Sequence, residues 1–410
     1  MASLENYNEA GNRERVQRLQ DRGVDVWGAE RVYIAADVPL DNIEPGASIY
    51  QATLSGAELR IGRGSRIGVS GHARVADCQI GSGVELGAGS YEGATFLDGA
   101  VVRGFAEIRP GTLLEELVDA AHSVAFKNTI LTATVVTGSV INYCDLFMSG
   151  GTSRSDHSEV GSGVIHFNFD PRGDKYGSMI GDVRGVLLRS APVFVGGQCG
   201  LVGPVHIDFG AVVAAGSLVR RDVAADCVHF ENFESQASSD FDREIYTGLR
   251  RKFLTTAKLI GNLRALDAWY EQVRLPFADE HHKPLYRAAQ KQARAHAAER
   301  IKRVDKMISK LERSIEKSTA LGDPVLKKFH GEHRLLIKNR AAIHTILTGV
   351  GDVAAPPPAV LEQYEKARGS MTHLEAVRKL DEFAAEAAAN WLHQIAQEPV
   401  ATLEKTLSAA

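Results

Sequence analysis

A parallel β-helix built from hexapeptide repeats, followed by a helical bundle or coiled-coil extension, is the fold this sequence predicts. Three observations carry that reading. Aliphatic residues recur every six positions through the first half, most clearly at Val195, Leu201, Ile207, Val213 and Val219. Glycine, 39 residues in all, is concentrated in the same half. From about Phe241 onward both signals vanish, and Ala, Lys, Arg, Glu and Leu take over.

A period of six suits neither an amphipathic helix nor an ordinary alternating strand. It suits a triangular prism whose coils each take three hexads, roughly 18 residues, with one aliphatic per hexad pointing inward. "IGRGSRIG" supplies Ile61 and Ile67 in this phase, and "IGSGVELG" supplies Ile80 and Leu86. Glycine serves the corners, where the backbone needs conformations that side chains resist. Before the coils, Leu4 to Asp21 reads as a short polar helix. The expected organisation is therefore an N-terminal helix over 1–22, a β-helix over 23–228 and a helical domain over 229–410.

Within the last part, Ile301, Val304, Ile308, Leu311 and Ile315 are spaced as a helical seam. "LGDP" at 321–324 ends that helix and starts another, and "GDVAAPPPA" at 351–359 is a linker. A final amphipathic segment carries Leu374, Val377, Leu380 and Phe383. Stacked coils have open ends that need covering, and the helical part is a candidate cap for one of them.

Bulk properties narrow the function. A net charge of −4 on 410 residues makes no case for nucleic acid binding. No apolar run approaches the ~20 residues that span a bilayer, and "MASLENYNEAGNRERVQRLQ" lacks the apolar core of a signal peptide. The expectation is a cytoplasmic protein without a membrane partner. Cys78, Cys144, Cys199 and Cys227 have no CxxC spacing and read as small apolar fillers. No metal site is expected: "DEHHK" at 279–283 offers metal-ligand side chains but reads as a solvated polar loop. The helix from Tyr286 to Ser318 carries ten basic residues against four acidic. It reads as a docking face for an acidic protein partner or, in the ordinary case, as a solvated surface.

The hexad rhythm breaks at Gly163 to Asp182, "GVIHFNFDPRGDKYGSMIGD". Upstream, Arg109 and Lys127 lie 18 residues apart, one coil, so they should stack ~4.8 Å apart on one outer ridge. Two stacked cations make a phosphate clamp or two ordinary solvated charges. Val160 holds the inward phase, so His157 should point outward with Asp156 beside it to orient the imidazole. This is the candidate catalytic pair. His166 falls on the inward phase and should be a buried, hydrogen-bonded histidine.

Residues 104 to 223 resemble the acetyltransferase half of the bifunctional pyrophosphorylase/acetyltransferase that makes UDP-N-acetylglucosamine. The likeness rests on "GFAEIRPG", on "EVGSGVIHFNFDPRGDKYGSMIGD", and on "VFVGGQCGLVGPVHIDFGAVVAAGSLVRRDV". It extends more loosely back to Val24. The resemblance implies a left-handed parallel β-helix, a homotrimer with ligands in grooves between neighbours, and acetyl-CoA or another acyl-CoA as co-substrate. It implies that Arg109 and Lys127 grip a sugar-phosphate or uridine-diphosphate group. Asn168 and Phe169 fall in the substrate and acetyl pocket, and Lys175 matches the loop lysine. Ser162, Gly197 and Ala215 fall where the family contacts acetyl-CoA, mostly through backbone. In "NYCDLFMSG", Tyr143 takes the place of the family's catalytic histidine, Leu146 that of a tyrosine, and Ala125 that of a glutamate. An extra stretch, "VRGVLLRSA" over 183–191, reads as a lid or a subunit contact.

The resulting expectation is an acyl-CoA-dependent acyltransferase acting on a sugar phosphate or nucleotide sugar, with His157 as base. The alternative is a noncatalytic nucleotide-sugar sensor or scaffold that has lost the base. A purely structural scaffold is the third option. No glycine-rich nucleotide loop precedes the coils in this sequence, so pyrophosphorylase activity is not expected.

Overall fold

The computed structural model describes residues 9–231, 241–349 and 353–408. The start of the expected N-terminal helix and the opening of the 351–359 linker lie outside the described residues. The chain forms a parallel β-helix of about 11 turns followed by a region of several helices. Its first face is an 11-stranded parallel sheet from Asp25–Val26 to Val228–His229. The second and third faces join as one 16-stranded sheet. They join because Ala125–Leu131 and Asn142–Met148 run through the corner and pair on both faces. At that corner Asn128 and Asp145 take φ of 46° and 63°. Asn and Asp reach this left-handed region at less cost than other side chains.

The periodic aliphatics point inward as expected. Ile61, Ile67, Ile80, Leu86, Val195, Leu201, Ile207, Val213 and Val219 are all fully buried in one continuous core. Helix α1 (Glu9–Asp21) covers the first coil. There Asn12 donates to the Val32 carbonyl at 2.9 Å and accepts from the Ile34 amide at 2.8 Å. This occupies backbone groups that an open sheet edge would leave bare.

The other helices are α2 (Leu249–Trp269), α3 (His282–Ile308), α4 (Leu311–Leu321) and α5 (His330–Lys338). They continue as α6 (Arg340–Thr348), α7 (Pro358–Ala367), α8 (His373–Lys379) and α9 (Glu382–Ser408). Short helical turns fill the joints, including a π turn at Tyr270–Arg274. The expected seam from Ile301 to Ile315 is split between α3 and α4, and Phe383 is exposed rather than part of the core.

Beyond α1, the described helices lie along the side: α2 and α3 pack over the third face, and α9 packs on α2 and on the turn at Val183–Leu187. Leu97, Leu113, Ile130, Phe147 and Met179 project outward there and share a core with Leu263, Trp269, Leu285 and Leu392. The cause is in the sequence. On the third face the inward aliphatic has a second apolar residue beside it, so the sheet must be buried on both sides. The 183–191 stretch packs into the same layer rather than standing free as a lid. Val183, Val186, Leu187 and Leu188 are buried in it, and Asn262 of α2 accepts from the Val183 amide at 2.8 Å.

Two buried arginines, each paired with carboxylates of the prism, fix the layer in place. Arg274 lies between Glu115 and Glu116, stacked on Tyr286 with 4.1 Å to the ring centroid. Tyr270 donates to Glu115 at 2.5 Å. Arg300 of α3 binds Asp145 at 2.6 Å. Breaking one partner of such a buried pair strands the other charge, at about 3–5 kcal/mol. Arg274→Ala should therefore lower the unfolding free energy by about that amount in urea denaturation. A loss under ~1 kcal/mol would show that the pair does not hold the layer.

Candidate functional site

The register Ile108↔Phe126↔Tyr143 lays three successive coils in line, so Arg109, Lys127 and Cys144 follow one another on the outer ridge. Arg109 Nη2 stands 3.6 Å from Cys144 Sγ. Lys175, on the loop, is near enough to act electrostatically on the same thiol, as Arg109 and Lys127 do. Burial nevertheless dominates and raises the Cys144 pKa, with Arg109, Lys175 and Lys127 opposing it, so the thiol stays protonated. Arg109 has one loose carboxylate neighbour, Glu107 at 3.7 Å. The sequence reading missed Cys144, although it lies one coil beyond Lys127 on the same ridge.

Beneath the ridge lies a buried polar knot. Asp145 accepts from Asn128 at 3.0 Å, from Asn168 at 2.6 Å and from Arg300 at 2.6 Å. Burial pushes the Asp145 pKa up, but Arg300, His296 and the two amides outweigh it and hold it below the usual carboxylate range. Arg300 also donates to the Lys175 carbonyl at 3.3 Å. Asn168, expected to contact ligand, is thus committed at Nδ2 to holding Asp145.

The loop that breaks the rhythm is anchored by the helical layer. Asp174 is buried, accepting from Tyr246 at 2.7 Å and Lys310 at 2.6 Å. Arg172 donates to the Ile245 carbonyl at 2.8 Å and sits over the Phe241 ring. Several of the basic residues counted between Tyr286 and Ser318 are used inside the chain in this way, Lys317 with Asp242 and Glu244 among them. With the loop held, Phe169 remains exposed and bridges to Lys175 across the hairpin.

Tyr143 does not line this ridge. It is fully buried inside the prism, stacked on Phe126 at 6.0 Å, and burial raises its pKa. Leu146 is inside as well. His166 is a buried, hydrogen-bonded histidine, as its phase predicts. Its Nδ1 donates to the Cys144 carbonyl at 2.6 Å, and its Nε2 accepts from Ser178 at 2.8 Å.

Asp156 and His157 stand elsewhere. They form a hairpin with Gly151–Ser153 at the edge between the third and first faces. His157 Nδ1 donates to the Arg154 carbonyl at 2.8 Å, and its Nε2 is 3.6 Å from Glu159. Asp156 accepts from Thr152 at 2.7 Å rather than orienting the ring. Within one chain this edge is not the edge of Arg109 and Lys127.

Ser162, Gly197 and Ala215 do fall together. The register Val160↔Val195↔Val213 puts them at equivalent positions of three successive coils, on the edge between the first and second faces. Carried backward, the same register passes through Ser139, whose hydroxyl is 3.0 Å from Ser162 Oγ, to His122. The sequence reading did not single out His122; its distance of 40 residues from Ser162 hid the alignment.

No protein-family model matches the chain. Proteins named bifunctional protein GlmU do match it in sequence. The one from Nitratidesulfovibrio vulgaris is 32% identical over 202 residues, which is 49% of this chain and 40% of that protein. The one from Acinetobacter baumannii is 32% identical over 185 residues, 41% of this chain and 37% of that protein. The one from Trichlorobacter lovleyi is 32% identical over 219 residues, 52% and 42% respectively. The chain thus spans about two fifths of the length of the curated relatives it matches. The likeness over about half the chain and the parallel β-helix together bear out the resemblance to the acetyltransferase half of GlmU. Among the described residues, no helix is long and apolar enough to cross a membrane.

The two buried histidines of the site give it a pH signature. Burial lowers His166 to about 4 and His296 to about 3. Both bind a proton on unfolding below their ordinary value of ~6.5 but not while folded above ~4. The unfolded state therefore holds more protons in that window, and stability falls as pH drops from about 6.5 toward 4, by about 1.4 kcal/mol per unit per histidine. Urea midpoints at pH 7, 6 and 5 check this, and His166→Gln should make the slope shallower. A slope unchanged in that variant would contradict it.

Proposed function

We propose that this chain is an acyl-CoA-dependent acyltransferase acting on a sugar phosphate or nucleotide sugar laid across the second face of the prism. The observation that carries the reading is that two ladders border that one face. Arg109, Lys127 and Lys175 mark its edge with the third face, and Ser162, Gly197 and Ala215 its edge with the first. The sequence likeness to GlmU over about half the chain supports the same class of chemistry.

In this reading the cations hold the phosphate by charge-assisted hydrogen bonds, and the exposed Phe169 lies against the sugar or base ring. The acyl-CoA lies along the other edge. The acceptor's amine or hydroxyl attacks the thioester carbonyl, the C–S bond breaks, and the coenzyme A thiol leaves. His122 takes the acceptor's proton, because it borders the second face, whereas His157 does not. Side-by-side assembly as a homotrimer would close the groove, using exposed apolar positions such as Phe194, Val212 and Val228 on the first face. The second reading, a binder without chemistry, is favoured by one observation: Tyr143 points into the prism.

One set of measurements separates the two. The purified protein is melted with UDP-N-acetylglucosamine, with amino-sugar phosphates and with coenzyme A, and release of free thiol from acetyl-CoA is followed. Ligand at 100 times Kd should stabilise by about 2.7 kcal/mol. Arg109→Ala or Lys127→Ala should weaken sugar-phosphate binding about tenfold or more, as expected when a hydrogen bond to a charged group is removed. His122→Ala should leave binding intact and slow transfer by about 10²–10⁴. Binding without thiol release would establish the second reading, and no binding by any of these ligands would refute both.

A further inference from the structure

The segment "DEHHK" is not a solvated loop. It docks the start of α3 onto the prism, and both histidines face prism residues. His281 Nδ1 donates to Glu44 Oε1 at 2.8 Å, and His282 Nδ1 donates to Asp279 Oδ1 at 2.8 Å. Each imidazole therefore has its Nδ1 tied to its own carboxylate. The Nε2 atoms are left to meet Asp98 and Ser82. His282 Nε2 is 2.8 Å from Asp98 Oδ2, and His281 Nε2 is 3.0 Å from Ser82 Oγ. Asp98 is held in turn by the Ser82 amide at 2.8 Å. The two rings are perpendicular, with centroids 4.9 Å apart.

We propose that His281, His282 and Asp98 form a binding site for a divalent transition-metal ion, Zn²⁺ foremost, at the seam between prism and helices. Each of the three offers a ligand atom within 4.8 Å of the others. Two imidazole nitrogens and one carboxylate oxygen suit Zn²⁺ and its first-row neighbours, whereas Mg²⁺ and Ca²⁺ prefer all-oxygen sets. The Glu44 and Asp279 contacts are the outer carboxylates that orient metal-binding histidines and fix which nitrogen binds. Three protein ligands leave a fourth position open for water or a ligand. Beside the site lies a cavity of about 690 Å³. Asp98 and His282 line it with Arg274, Tyr286 and Tyr364, so an incoming ligand has room to reach a metal there. The site joins segments 184 residues apart, so an ion would also staple helix to coil.

The test uses the full chain, stripped with a chelator and titrated with Zn²⁺ by calorimetry and with Co²⁺ by visible absorption. One ion per chain is expected, with Co²⁺ bands marking nitrogen and oxygen ligation, and no matching response to Mg²⁺. His282→Ala should abolish the Co²⁺ bands. Asp279→Ala, which removes only an outer contact, should weaken Zn²⁺ binding about 10–100-fold. Circular dichroism and melting show whether each variant is folded. Absence of Zn²⁺ binding to the wild-type chain would overturn the proposal, and so would binding unchanged in both variants. The second outcome would place the ion elsewhere.

Discussion

The ion pair between Arg300 and Asp145 is the constraint on which the site depends. Asp145 sits at the turn where one strand leaves the second face and enters the third, with its φ in the left-handed region. A buried carboxylate there is costly unless it is matched, and α3 brings the matching guanidinium from 155 residues away. Everything close by is arranged around that exchange. Asn128 and Asn168 fill the remaining acceptor positions, and the second guanidinium nitrogen reaches the Lys175 carbonyl. The loop is thereby held, with the Lys175 backbone tied to α3. The helical layer is therefore part of the architecture that supports the ridge of Arg109 and Lys127.

This arrangement follows from a division of labour among the three faces. The third face carries apolar residues on both sides and is closed by helices of the same chain. The first and second faces keep outward positions open, and the two ladders border the second. One side of the prism is covered and the other two are left open within the chain, and the anchored loop sits at the boundary between covered and open surface.

The prism was legible in the sequence because its signal is local: one inward aliphatic per hexad, repeated in phase. The placement of Arg109 beside Lys127 followed from the same register. The side-lying helices were also written there, in the pairs Leu113–Leu114, Ile130–Leu131, Phe147–Met148 and Met179–Ile180. In each pair one residue belongs to the prism core and the other to the helical core. A reading that seeks one aliphatic per hexad passes over the second. What the sequence could not reveal is the partner of Asp145, since no local pattern links it to Arg300. His157 was drawn toward the site by its outward phase, but a hairpin takes it to another edge. Phase says that a side chain points out; it does not say over which face.

A structure of the protein crystallised with UDP-N-acetylglucosamine tests the central claim most directly. The account predicts phosphate oxygens within hydrogen-bonding distance of Arg109, Lys127 and Lys175, with the ligand extending over the second face and Asp145 still bound to Arg300. A ligand seated elsewhere on the prism, or a loop released from α3 when the ligand binds, would contradict it.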